Sequence, residues 1–176
     1  MKEEARLQRN QQRLGECFSP FAKRLKAMIN DLEAQGFRPR IQDAFRTKED
    51  QLKAFNNGFS KVKFGFHNTS SPEGKPESLA VDLLDDDNPL NPPRRYMILL
   101  AESARKQGLQ TGILFGLPKV LRNGVEDAIK NHNFGSNVKI GFDPTHVEVT
   151  GITIAEAKTG KRPNLGPVSK MMMASG

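Results

Sequence analysis

The sequence is short of cysteine, of histidine and of long apolar runs, and each shortage narrows what the chain can be. Cys17 is the only cysteine, which excludes an internal disulfide framework and any cysteine-rich metal site. It reads as a small buried hydrophobe. No stretch approaches the roughly 18 apolar residues that a membrane-spanning helix needs. The first residues, Met1-Lys-Glu-Glu-Ala-Arg6, carry acids where a secretory signal has its apolar segment. The expectation is synthesis in the cytoplasm, with any delivery across a membrane left to another agent. There is no HExxH pattern, the commonest short signature of a zinc hydrolase. No internal repeat and no linker divide the chain.

What is present suits one domain. The chain has 176 residues, 36% of them apolar and 27% charged, as in a soluble α+β protein with a modest core. Lysine and arginine outnumber acids 27 to 20, for a net charge of +7. Such a surface attracts polyanions, whether nucleic acid, anionic lipid or the bacterial envelope, and does not choose among them.

Residues 1–16 are polar and compatible with a helix. Ser19-Pro20 supplies an N-cap and a first-turn proline, Gly36 supplies a stop, and Phe21, Leu25, Met28, Ile29 and Leu32 recur between them at helical spacing. A strand is predicted over 37–45. Thr47 to Asp50 forms a capping-box variant that opens a short helix ending near Gly58. A loop carrying Pro72, Gly74 and Pro76 leads to a buried strand, Leu79-Ala-Val-Asp-Leu-Leu84. Asn91-Pro92 opens a helix that ends at Gly108, a weaker helix covers about 118–131, and a strand interrupted by Pro144 runs from Val138 to Val149. The predicted organisation is a polar helical segment over 1–18, a catalytic domain over 19–160 and a flexible tail over 161–176 that includes Met171–Met173.

The chemistry rests on few residues. The histidines are His67, His132 and His146. Asp82 sits in an apolar strand, where a carboxylate needs a partner. Strand alternation puts Ala80 and Asp82 on one face, and likewise His146 and Glu148. Two histidines and an aspartate can hold a catalytic zinc, because three protein ligands leave a fourth position open. Asp143, three residues before His146, could act as a general base. The ordinary alternative is a hydrogen-bonded structural histidine in a strand and a turn-forming aspartate at a strand end. Spacing alone does not decide between them.

Three blocks, in order, bear on that choice. They are Ile41-Gln-Asp-Ala-Phe-Arg46-Thr-Lys-Glu-Asp-Gln51; Ser60 to His67, continuing to Ser78-Leu-Ala-Val-Asp82; and Phe142-Asp143-Pro-Thr-His146-Val-Glu148. Their order resembles the zinc D-alanyl-D-alanine carboxypeptidases and dipeptidases together with the phage L-alanyl-D-glutamate endopeptidases. The resemblance implies a single α+β domain, a small antiparallel sheet flanked by helices, as in the hedgehog and D-Ala-D-Ala peptidase fold. It implies Zn²⁺ held by His67, Asp82 and His146, with Asp143 as catalytic base and Arg46 as an electrostatic clamp on the substrate carbonyl. Glu148 is then either a partner of a ligand histidine or a solvent-facing residue, and Gln51 either positions Arg46 or faces solvent.

The chain departs from the family pattern in several places. His67 and Asp82 lie 15 positions apart, so residues 69–77 form an inserted loop. Gly65 stands where the family has Ser, Ser78 where it has Gly, and Phe142 near the place of a family tryptophan. His132 reads as a surface residue at a helix end. Asp85-Asp86-Asp87 reads as an acidic loop before a helix, with cation binding as the alternative.

The implied activity is hydrolysis of peptidoglycan stem peptides. Asp at 143 resembles the endopeptidases and so points to the L-Ala–D-Glu bond. The implied setting is a monomeric phage endolysin with no specific nucleic-acid partner, reaching the wall through a holin. The rivals are a D-Ala-D-Ala-type carboxypeptidase and a non-catalytic basic protein that binds nucleic acid or cell wall.

Overall fold

Phe21, Leu25, Met28, Ile29 and Leu32 are buried along one side of a helix spanning Ser19–Ala34 (α2), as their spacing dictates. Pro20 lies in its first turn, where a missing N–H is harmless. The capping position is Phe18, and no side chain caps the helix; Ser19 is already helical. The structure, a computed structural model, describes residues 1–166. Met171–Met173 lie outside the described residues.

The preceding helix, Glu3–Leu14 (α1), has little apolar surface and is held by polar groups. Arg6 is buried, and its Nη1 donates to the Pro39 carbonyl at 2.7 Å. Asn10 donates to the same carbonyl at 2.9 Å and accepts from the Ile41 N–H at 2.8 Å. These bonds occupy the backbone of an edge strand, which would otherwise be an open template for pairing.

That strand is Pro39–Asp43 (β1). It joins Ala80–Asp85 (β2), Leu109–Gly112 (β3) and Asp143–Val149 (β4) in a four-stranded sheet of order β1-β2-β4-β3, antiparallel throughout. The remaining helices are Lys48–Asn56 (α3), Arg94–Lys106 (α4), Lys119–Lys130 (α5) and Ile154–Lys158 (α6). The chain forms one α+β domain. Ile41, Val81, Leu83, Val147 and Val149 pack with Leu25, Met28 and Leu32 of α2 and Tyr96 and Leu100 of α4. The Tyr96 hydroxyl, fully buried, donates to the Leu83 carbonyl at 2.8 Å. A second cluster joins Ile98 and Ala101 of α4 to Val125, Ala128 and Ile129 of α5. No helix among the described residues is long and apolar enough to cross a membrane.

Several expected boundaries move. The strand expected over 138–149 begins only at Asp143, because Gly141 and Phe142 donate instead to the carbonyls of Ile113 and Phe115, at 2.6 and 3.1 Å. Pro144 does not interrupt the strand; it lies within β4, next to its first residue. The inserted loop is a closed excursion: Glu77 N–H donates to Thr69 O at 3.0 Å, and Ser71 N–H to Lys75 O at 2.8 Å. Over 161–166 the tail has no regular structure yet is tied down. Arg162 donates to Glu77 Oε2 at 3.0 Å and to Ser70 O at 2.6 Å, and Arg24 of α2 donates to the Leu165 carbonyl.

Candidate metal centre

The sheet pairs the candidate ligands directly. Asp82 of β2 lies opposite His146 of β4, and Ala80 opposite Glu148, so all four share the sheet face away from Val81 and Val147. Two irregularities bring in further groups. A register shift between Ile41 and Asp43 sets Asp43 across from Asp82. On the other side Thr111 pairs with Val147 while the next residue, Gly112, pairs with Asp143, so residues 144–146 bulge out of the β3 ladder. Pro144 has no N–H to lose there. Gly112 is required at this crossing, since a Cβ would lie 2.0 Å from the Asp143 carbonyl oxygen.

His67 comes from outside the sheet, on a 3-10 turn over Phe66–Asn68. Backbone bonds pin the turn: Arg46 N–H donates to the His67 carbonyl, and Leu79 N–H to the Phe66 carbonyl, both at 2.9 Å. Asn68 donates to the Arg46 carbonyl at 2.8 Å and accepts from Gly65 N–H at 2.8 Å.

These elements bring His67 Nε2 within 3.3 Å of His146 Nδ1 and 3.7 Å of Asp82 Oδ1, and His146 Nδ1 within 3.4 Å of Asp82 Oδ1. An ion with tetrahedral ligands at about 2.0–2.1 Å sets its ligand atoms about 3.3 Å apart. The three atoms therefore fit one ion with little adjustment. The donor set fits as well. His67 Nδ1 lies 2.6 Å from the Ala44 carbonyl, which can only accept, so Nδ1 carries the hydrogen. His146 Nε2 lies 2.8 Å from Glu148 Oε2 and is likewise the donor. With both outer nitrogens committed, neutral rings turn two lone pairs toward each other beside a carboxylate. Such an arrangement requires a proton or a cation between them.

Without an ion the proton takes that place. Burial alone would lower the His146 pKa, but hydrogen bonds to Asp82 and Glu148 outweigh it and raise it to about 10. Burial pushes the Asp82 carboxyl up, yet its bonds to His146 and His67 hold it well below the usual carboxylate range. Asp143 is raised, chiefly by burial; the charges of His146 and His67 pull it down while those of Asp82 and Glu148 push it up. All four groups of the centre thus act on Asp143, which borders it.

Arg46 lies on the β1 side. Its Nη2 is 2.7 Å from Asp43 Oδ2 and 3.8 Å from Asp82 Oδ2, and its Nη1 donates to Gln51 Oε1 at 3.2 Å. Gln51 is buried and does not face solvent; its Nε2 donates to Ser60 Oγ and to the Val62 carbonyl, each at 2.7 Å. On the β3 side the Phe115 ring stands 5.9 Å from that of His146, and Phe142 6.1 Å from Phe115.

The structure brings together His67, Asp82, His146, Asp143 and Arg46, with Glu148 and Gln51 as their partners. It leaves His132 apart, exposed at the end of α5 and bonded to Glu102. The acidic triplet is used internally: Asp85 accepts from Asn88 at 3.1 Å, Asp86 pairs with Arg40 at 2.6 Å, and Asp87 with Arg38 at 2.7 Å. Asp43, the Ala44 carbonyl and Gln110 join the site without having been expected there. The acid three residues before Arg46 is the one signal of them in the sequence. Comparison with family models, with curated proteins and with solved structures yields no match to this chain.

Proposed function

We propose that this protein is a zinc metallopeptidase that hydrolyses stem peptides of bacterial peptidoglycan, at the L-Ala–D-Glu bond, as a phage endolysin does. The observation that carries the metal reading is the convergence of two ring lone pairs and the Asp82 carboxylate, with both outer ring nitrogens already bonded. Zinc in such a site acidifies water and polarises a carbonyl. The rest falls to the chain. Asp143, half-buried and with raised proton affinity, takes the proton of the attacking water and passes it to the departing amine. Arg46, held by Asp43 and Gln51, offers its guanidinium to the oxyanion. The choice of substrate rests on the resemblance of the blocks over 41–51, 60–82 and 142–148, with Asp rather than Glu at 143. The net charge of +7 suits an anionic wall.

The test is mass spectrometry of fragments released from purified peptidoglycan by zinc-loaded protein, by chelated protein and by a folded His146→Ala variant. New D-Glu amino termini from the loaded protein alone are expected. Release of D-Ala alone would transfer the protein to the carboxypeptidases. No cleavage and no zinc uptake, with salt-sensitive binding to DNA or wall, would leave a basic binding protein instead.

A further inference from the structure

The hydrogen bond from His146 does not end at Glu148. Gln110 of β3 lies opposite Glu148 in the ladder, and its Nε2 donates to Glu148 Oε1 at 2.8 Å. His146 Nε2 donates to the other oxygen, Oε2, also at 2.8 Å. Each carboxylate oxygen thus has one donor, one from its own strand and one from β3, and the plane of the carboxylate is set by both. On the third strand the residue opposite Glu148 is Ala80, whose methyl offers no competing polar group. Gln110 also lines a cavity of about 760 Å³ with Phe115 and Phe142, so the outer end of the chain meets solvent.

We propose that Gln110 is a positioning residue for the metal ligand His146, acting through Glu148. A carboxylate with a single hydrogen bond can rotate about its side-chain torsions. Held at both oxygens, it keeps the imidazole turned with Nδ1 toward His67 and Asp82. The inference rests on the proposed metal site and is independent of the proposed substrate.

Zinc affinity is the measurement, by competition with a chromogenic chelator, for the native protein, Gln110→Met, Glu148→Ala and the double variant. Partners of ligand histidines typically contribute about 10–100-fold in metal affinity, and Glu148→Ala is expected in that range. Gln110→Met keeps bulk and removes the donor. It is expected to weaken zinc binding about three- to tenfold while leaving the melting temperature of the metal-free protein unchanged. In the Glu148→Ala background the same substitution is expected to have no effect, since its path is already cut. An unchanged affinity in Gln110→Met, or an equal loss in both backgrounds, overturns the relay while leaving the metal site standing. A native protein that takes up no zinc overturns both.

Discussion

Zinc uptake by this protein should expel a proton from His146. In the metal-free protein the His146 pKa stands at about 10, because the hydrogen bonds to Asp82 and Glu148 overcome the opposing effect of burial. At pH 7, well below that value, the ring carries the proton. The proton occupies Nδ1, since Nε2 is already the donor to Glu148. Nδ1 is also the nitrogen turned toward His67 and Asp82, so ion and proton compete for one lone pair. Metal ligands bind deprotonated, which makes affinity depend on pH. Asp82, held in its ionised form, has no proton to give. His146 should therefore release close to one proton per zinc at pH 7, and apparent affinity should rise about tenfold per pH unit toward pH 9.

The assay is isothermal titration calorimetry in two buffers of very different ionisation enthalpy. The difference in apparent enthalpy divided by the difference in buffer enthalpy counts the protons. A count near zero at pH 7 would mean that His146 is not the residue that zinc displaces a proton from. The same competition bears on stability. The pKa of His146 is raised on folding, so its contribution to metal-free stability is fully present below about pH 6.5 and is lost as pH rises through about 10.

Two further outcomes are expected. Arg46→Lys keeps a charge but cannot span Asp43 and Gln51 with one planar fork. It should lower kcat about a hundredfold with zinc content unchanged, measured on wall fragments beside metal analysis; an equal loss of zinc would mean that Arg46 holds the site together instead. Gly112→Ala places a Cβ 2.0 Å from the Asp143 carbonyl oxygen and 2.9 Å from a Phe115 ring carbon. It should destabilise the fold by about 2–3 kcal/mol and lower Tm by about 5–10 °C by differential scanning calorimetry. An unchanged Tm would show that the β4 bulge yields easily.

What is legible in the sequence is whatever is decided locally. The apolar rhythm of α2, the Thr47 cap that accepts from the Asp50 N–H, and the alternation that puts Asp82 on the face opposite Val81 each depend on a few neighbouring residues. β3 is not among the expected strands because four residues carry no periodicity of their own; pairing with β4 makes them a strand. The five-residue α6 is not among the expected helices either, although Thr153 and Glu156 form a complete capping box at its start. Gln110 is hidden for the same reason as β3, and Asp43 is marked only by its place three residues before Arg46. Each enters the site through a cross-strand register, one through the β1 bulge and the other through the ladder to β4.

The long gap in sequence between His67 and Asp82 does not keep apart their side chains, which lie 3.7 Å from each other. Residues 69–77 leave and return at one place, where Thr69 and Glu77 are bonded through both backbone and side chain. The chain that re-enters at Ser78 is fixed before β2 begins, by its N–H to the Glu16 carbonyl and its own carbonyl to Phe18 N–H, at 2.9 and 3.0 Å. Its hydroxyl has the Ala80 carbonyl at 2.6 Å as its shortest acceptor and also lies 3.0 Å from the Ala44 carbonyl, the one that accepts from His67 Nδ1. Ser78 therefore stands beside the carbonyl that orients His67. The insertion lengthens the chain without lengthening the path of contacts, because closing a loop at its base isolates its interior from the residues on either side. Spacing in sequence is then a poor measure of whether three side chains can meet. The bonds at the two ends of the insertion decide it.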